Sequence, residues 1–248
     1  MRKLIVANRK GGVGKTTTAV HIAAAFAMSG MRTLLIDTDS QGHCAKMLGV
    51  SPDTGLAELM EGKARPEEAV IQTRENLFLL SGSPTLAGTG RLIARQDFDS
   101  HLMLSAALEP YENQFAFVIL DTNPSYSPLS VNVMFYGREV LIPVSMEALS
   151  VSGMMDLLGE MEPIRQRAGT DVKYILPTIA DHRKKLTDEL LPQLRQMYGD
   201  KVLHPISYLA RMCELPATGK LIFEYDSRAS VSLDYAMAAG EILRNGKA

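Results

Sequence analysis

Asn8-Arg9-Lys10-Gly11-Gly12-Val13-Gly14-Lys15-Thr16-Thr17-Thr18 stands between an apolar run, Leu4-Ile5-Val6-Ala7, and a helix-like run over residues 19–28. A strand, a glycine-rich loop ending in Lys-Thr and then a helix is the context in which a phosphate-binding loop forms. Glycine lets successive backbone N–H groups curl toward one anion, because no Cβ obstructs them. The helix N-terminus adds unsatisfied N–H donors and the positive end of the dipole. Lys15 supplies a point charge for the terminal phosphates, and the Thr16 hydroxyl stands where it can ligate Mg²⁺. The expected cradle is Gly11, Gly12, Val13, Gly14, Lys15, Thr16 and Thr17. A turn that binds nothing would explain the glycines, but not Lys15-Thr16 together with both flanks.

Outward from this loop, short runs rich in Val, Ile and Leu predict buried strands over residues 3–7, 33–36, 77–80, 117–120, 140–144 and 173–176, with a weaker seventh over 202–206. Between them lie helical patterns over 16–28, 150–167 and 187–198, closed by Gly30, Gly169 and Gly199. Pro192 falls inside the third and predicts a first-turn start or a kink there. A last helix runs from a capping Ser230 to about residue 244, with Leu233, Met237 and Ile242 near one face. Alternating strands and helices predict an α/β fold: a mostly parallel sheet with helices on both faces. Ligands then bind at the C-terminal ends of the strands.

The 248 residues, 46% hydrophobic and 22% charged, suit one domain spanning residues 1–248 with a sizeable core. The formal net charge of -2 excludes a globally basic nucleic-acid binder but not a local basic face. Cys44 and Cys213 form no metal-ligand spacing, and a reducing cytoplasm is the simplest reading. The chain enters directly into a strand, so no secretory signal is expected, and no apolar run approaches the ~20 residues of a membrane span. The five histidines, at 21, 43, 101, 182 and 204, show no metal spacing.

Two more sites fall at strand ends. In Ile36-Asp37-Thr38-Asp39-Ser40-Gln41-Gly42, Asp37 and Asp39 would point to the same side if the strand continued, with room for a metal and a water. Two turn-forming aspartates explain the pattern equally well. In Phe117-Val118-Ile119-Leu120-Asp121-Thr122-Asn123-Pro124-Ser125, a carboxylate closing an apolar strand can orient Mg²⁺ or its waters.

An ordinary phosphate loop has glycine where this chain has Arg9, and this one carries an additional lysine, Lys10. Lys-Gly-Gly-x-Gly-Lys-Thr resembles the deviant Walker loop of the ParA/MinD ATPases. On spacing alone Lys10 is a solvated loop lysine; the resemblance implies that it reaches across a dimer interface to the partner subunit's nucleotide. Residues 37–42 resemble the family's D-x-D-P-Q-G segment with Ser40 replacing proline, which implies that Asp39 positions the attacking water near Mg²⁺. Residues 121–125 resemble its D-x-P-P-S switch with Asn123 replacing the first proline, which implies that Asp121 serves the metal and that the stretch through about Asn132 senses the γ-phosphate. Residues 205–220 with Tyr225-Asp226 resemble the stretch after the last core strand of ParA proteins, which implies base contacts around Pro205.

The resemblance covers nearly the whole chain and implies an ATP- and Mg²⁺-dependent homodimer with weak intrinsic hydrolysis. It further implies nonspecific DNA binding, cytoplasmic, nucleoid-associated placement, and release by a ParB-like protein or cargo adaptor. The cargo would be a plasmid, a chromosome or a protein body such as a carboxysome. No N-terminal helix-turn-helix domain precedes the loop, so direct operator binding is not expected. The DNA contacts carry over to Arg183 and Arg211, with Lys184 as a neighbour; Lys220, Arg228, Arg244 and Lys247 add positive charge. The MinD-like alternative needs a C-terminal amphipathic anchor, and the tail from Glu241 is too short and weak for one. A metabolic synthetase of the same superfamily would act on a small carboxylic acid, and a reductase would need cluster cysteines that this chain lacks.

Overall fold

The computed structural model describes residues 1–96, 99–125, 127–147 and 150–246. Seven strands form one sheet: β1 Arg2–Val6, β2 Thr33–Asp37, β3 Val70–Arg74, β4 Leu77–Leu80, β5 Phe117–Asp121, β6 Glu139–Ser145 and β7 Asp171–Thr178. Their spatial order is β3-β4-β2-β5-β1-β6-β7. Every pairing is parallel except β3 with β4, a hairpin whose turn holds Asn76 at φ 58. The mostly parallel α/β expectation holds, with one antiparallel edge strand that the sequence reading missed.

Alternation along β1 shows how the sheet divides the core. Leu4 and Val6 join one apolar cluster and Ile5 and Ala7 the other. The first cluster is completed by helix Lys15–Met28, by His43–Leu48 and by the C-terminal helix Ser230–Asn245; the second by Pro128–Tyr136 and Ser150–Ala168. Both faces are therefore covered, as parallel sheets require. Each fully buried Leu or Ile contributes roughly 1.5–3 kcal/mol to this core.

Three local expectations are corrected. Residues 202–206 form no strand; beside β7 they make an isolated bridge, Val202 to Ile175, and two backbone hydrogen bonds, from the Leu203 N–H to the Ile175 carbonyl and from the Ile206 N–H to the Pro177 carbonyl. Pro205 has no N–H to give, and the His204 N–H goes to Glu241 instead. The helix expected over 187–198 starts earlier, at Lys185, and carries Pro192 in its interior. The last helix has Ala229, not Ser230, at its cap position; it buries Val231, Tyr235, Ala238 and Ile242 and leaves Leu233 and Met237 exposed. The buried set follows the spacing of a true helical stripe. Lys247 lies outside the described residues. No described helix is long and apolar enough to cross a membrane.

Candidate active site

Parallel register brings the expected motifs together. β1, β2 and β5 are neighbours, and Val6 and Asp37 both pair with Asp121. The glycine-rich loop after β1, the Asp39 loop after β2 and the Asn123 loop after β5 therefore leave the sheet side by side.

The loop over residues 8–14 is tied down from below. Asn8 Nδ2 donates to the Pro143 carbonyl at 2.7 Å, and Asn8 Oδ1 accepts the Lys10 N–H at 3.0 Å. Val13 is fully buried and its carbonyl accepts the Thr178 hydroxyl at 2.9 Å. Gly12 and Gly14 sit at φ +74 and +82, the left-handed geometry that glycine adopts without strain. Gly14 caps the Lys15–Met28 helix without any side-chain cap, so the N–H groups of its first turn face the loop cavity.

Lys15 is buried, and its Nζ donates to the Lys10 carbonyl at 2.8 Å, across the mouth of the loop. Burial lowers its pKa, while Asp121 and Asp39 oppose the shift. Lys10 Nζ lies 3.4 Å from Glu147, in the loop after β6. The two lysines therefore have different partners: Lys15 a carbonyl of its own loop, Lys10 a carboxylate from another part of the chain.

The two carboxylates after β2 do not share a site, contrary to expectation. Asp37 Oδ1 accepts the Asp39 N–H at 2.9 Å and Oδ2 the Cys44 N–H at 3.0 Å, so Asp37 braces the loop from within. It groups instead with Asp121 and Cys44, whose potential ligand atoms lie within 4.8 Å of one another, all buried. Asp39 stands further out. Its Oδ1 accepts the Gln41 N–H at 3.0 Å and Asn123 Nδ2 at 3.2 Å.

Asp121 is fully buried, and its Oδ1 has no hydrogen-bond partner among the described residues. Burial raises its pKa to about 7, Asp37 adds repulsion, and Thr16, Cys44 and Lys15 pull it down. An orphaned buried carboxylate oxygen beside a threonine hydroxyl is a hard-oxygen donor set that fits Mg²⁺. The Cys44 thiol donates to Asp121 Oδ2 at 3.5 Å, and burial pushes its pKa up, so it behaves as a neutral filler.

Gly82 and His21, to which the sequence reading gave no role at the site, support it. Gly82, in the loop after β4, lies so close that a Cβ there would meet the Asp39 carbonyl oxygen at 2.2 Å. His21, fully buried, accepts the Ile222 N–H at Nε2, so its Nδ1 carries the proton donated to the Thr17 carbonyl at 2.7 Å. It fastens the loop-bearing helix to the C-terminal region. Pro205 adjoins Ile206, whose N–H donates to the Pro177 carbonyl, one residue before the Thr178 that holds the loop.

The expected DNA residues stand on adjoining loops past β7. The Tyr208 N–H donates to the Ala180 carbonyl, which brings the segment carrying Arg211 beside the one carrying Arg183 and Lys184. All three are exposed. Arg183 already forms a two-pronged ion pair with Asp181, both contacts at 2.8 Å, which pulls the Asp181 pKa down to about 2.

Comparison with known proteins defines the class. A family model described as an AAA domain matches residues 1–174. The chromosome-partitioning ATPase Soj of Thermus thermophilus is 33% identical over 98% of this chain and 96% of its own length. The chromosome partitioning protein ParA of Caulobacter vibrioides is 31% identical over 98% and 94%. The solved cobyrinic acid a,c-diamide synthase of Mycobacterium smegmatis, with bound ATP analog and magnesium, is 28% identical with a TM-score of 0.85, covering 100% of this chain and 96% of that one. The fold and loop thus define a P-loop ATPase of the deviant Walker type, and the chain belongs to the ParA family.

Proposed function

We infer that residues 1–248 form one P-loop ATPase domain that partitions or positions a cargo along DNA. The observation that carries this reading is the meeting of Lys10, Lys15, Asp39 and Asp121 at the ends of three adjoining strands. ATP would lie with its phosphates in the cradle of residues 11–17, and its base toward Pro205. Thr16 and Asp121 would hold Mg²⁺, with Asp39 beside it; the ion would supply neutralisation of the phosphate charge.

Catalysis on this chain's side is positioning and electrostatics. Lys15 exchanges its bond to the Lys10 carbonyl for the terminal phosphates. The N–H groups of the loop and of the first turn of the Lys15–Met28 helix would cradle the α- and β-phosphates. Asp39 accepts a hydrogen bond from the attacking water and fixes its direction. Lys10 would serve the nucleotide of a second copy, so that hydrolysis would require a homodimer.

The dimer would bind nonspecific DNA through Arg211, Lys184 and Arg183 and be released when a ParB-like or cargo-adaptor partner stimulates hydrolysis. This activity is that of a cytoplasmic, nucleoid-associated protein. A plasmid, a chromosome and a protein body such as a carboxysome all suit it as cargo.

The test is retention on nonspecific DNA with and without ATP across a salt series. Binding is expected only with ATP, and log affinity should fall by about one unit of log–log slope per phosphate contact. Arg211→Glu with Lys184→Glu should abolish retention while the ATP-dependent dimer persists. The likeness to the diamide synthase favours a second reading, ATP-dependent amidation of a carboxylic acid. ATP turnover that ignores DNA but rises with a carboxylate and an ammonia donor would establish it instead.

A further inference from the structure

The bond between Asn123 and Asp39 joins two loops that leave different strands. Asn123 Nδ2 donates to Asp39 Oδ1 at 3.2 Å. Its other end is fixed too: Oδ1 accepts both the Ser125 N–H and the Ser125 hydroxyl, each at 2.8 Å. A backbone N–H can only donate, so the amide oxygen must face Ser125 and the NH₂ group must face Asp39. The orientation of the amide is therefore set by its own loop.

The consequence falls on Asp39. Oδ1 is held by Asn123 and the Gln41 N–H, while Oδ2 makes no hydrogen bond among the described residues. One oxygen is anchored and the other is left for the nucleotide side. The backbone of the loop carrying Asp39 is braced by Asp37, which takes the Asp39 and Cys44 N–H groups. The loop is a β-turn over residues 39–42, closed by the Gly42 N–H on the Asp39 carbonyl at 3.2 Å, with Ser40 at its second position. Proline at that position would preset the backbone of a type I or II turn. Ser40 does not, and its N–H donates no hydrogen bond among the described residues.

We propose that Asn123 is a positioning residue for hydrolysis: through its amide it orients the Asp39 carboxylate and supplies from the neighbouring loop the rigidity that Ser40 does not. The proposal rests on the ATPase reading of the site. It makes the Asp39 loop and the 122–125 loop one unit, so a displacement of Ser125 reaches Asp39 through a single side chain.

The test is a cycle of Asn123→Ala, Ser40→Pro and the double variant, with steady-state ATP hydrolysis at saturating Mg-ATP and nucleotide affinity by fluorescent-nucleotide titration. Asn123→Ala should lower kcat about tenfold, the rate equivalent of 1.4 kcal/mol. Nucleotide affinity should stay within about twofold, because the phosphate cradle is untouched. Ser40→Pro alone should stay near the parent rate. The double variant should recover most of the loss, because proline presets the turn that the amide no longer steadies. A merely structural role for Asn123 would lower affinity and rate together and show no rescue by Ser40→Pro; that result overturns the proposal, as does Asn123→Ala at the parental rate. A parent that binds ATP yet never turns it over, with or without DNA, removes the ATPase reading itself. That outcome is distinct from a hydrolysing parent insensitive to Asn123→Ala, which removes only this role.

Discussion

Gly82→Ala probes how tightly the Asp39 loop is held. An added Cβ would lie 2.2 Å from the Asp39 carbonyl oxygen, 2.9 Å from that of Asp37 and 3.1 Å from Asp37 Oδ1. Two of these are backbone atoms, which no rotamer change can clear. The Asp39 carbonyl also accepts the Gly42 N–H that closes the turn. The methyl group must push that carbonyl by about 1 Å or move the loop after β4, an overpacking that costs about 1–3 kcal/mol. For a chain of this length the upper end lowers Tm by about 6–12 °C. Gly88→Ala is the matched control. Gly88 lies in helix Leu86–Arg95 with open space around its Cβ position, so alanine there should add about 0.5–1 kcal/mol of stability. Thermal unfolding without nucleotide gives the first readout and ATP turnover the second. Gly82→Ala should lose hydrolysis at least tenfold while nucleotide affinity holds, because Asp39 moves and the phosphate cradle does not. If Gly82→Ala melts with the parent and hydrolyses ATP at its rate, the close approach is not a constraint and Asp39 is not placed by that contact.

Three further outcomes follow from the site. Lys15→Ala should abolish nucleotide binding, whereas Lys10→Ala should keep most of it and lose the ATP-dependent dimer; equal loss of affinity in fluorescent-nucleotide titration contradicts this division. Asp39→Ala should bind ATP and dimerise but hydrolyse slowly, staying on DNA; a variant that remains monomeric with ATP on size exclusion argues against a purely catalytic role. His21 is held neutral by burial, its pKa lowered from 6.5 to about 4. The unfolded chain binds the proton more readily, so stability should fall as pH drops from about 6.5 to about 4, by about 3 kcal/mol in total. His21→Gln should flatten that segment of the stability–pH curve in urea titrations; a slope identical to the parent's assigns the acid loss to other groups.

The site was legible where its chemistry is written in adjacent residues. The loop over 8–18 carries its glycines, lysines and threonines in one stretch, and it lies between β1 and helix Lys15–Met28. Asp39 and Asp121 were visible as carboxylates ending apolar strands. Contacts that depend on strand order were not visible. Gly82 is a glycine among small loop residues, and only the pairing of β2 with β4 lays it against Asp39. Asp37 and Asp121 become neighbours through the parallel register of β2 and β5, which no local pattern announces. β3 was missed because Gln72, Thr73 and Arg74 give it a polar edge rather than an apolar run. The opposite error arose at 202–206, where Val202, Leu203 and Ile206 look like a strand until Pro205 and the engaged His204 N–H break the ladder.

The hydrogen bonds divide the site into a fixed half and an adjustable half. The phosphate loop is anchored at Pro143, at Thr178 and, through His21, at Ile222, each from a different part of the fold. These bonds make the cradle the preorganised part. The Asp39 and Asn123 loops are joined at their bases, where both the N–H and the hydroxyl of Thr38 donate to the Asp121 carbonyl at 3.0 and 2.7 Å. Above that level, among the described residues, they are linked through the Asn123 amide. On the proposed reading, a γ-phosphate entering the cradle would meet groups that cannot move far, so its charge would act on what can: Lys15 would leave the Lys10 carbonyl, and the two loops would respond. Ser125 leads from there into helix Pro128–Tyr136 across the capping pair Ser127 and Ser130, with the Ser130 hydroxyl also reaching the Ser125 carbonyl at 3.1 Å. On the ATPase reading proposed above, the nucleotide state would pass outward through Ser125, Ser127 and Ser130 into helix Pro128–Tyr136, on the side of the sheet away from the His21 anchor, while the half that grips the phosphates stayed still.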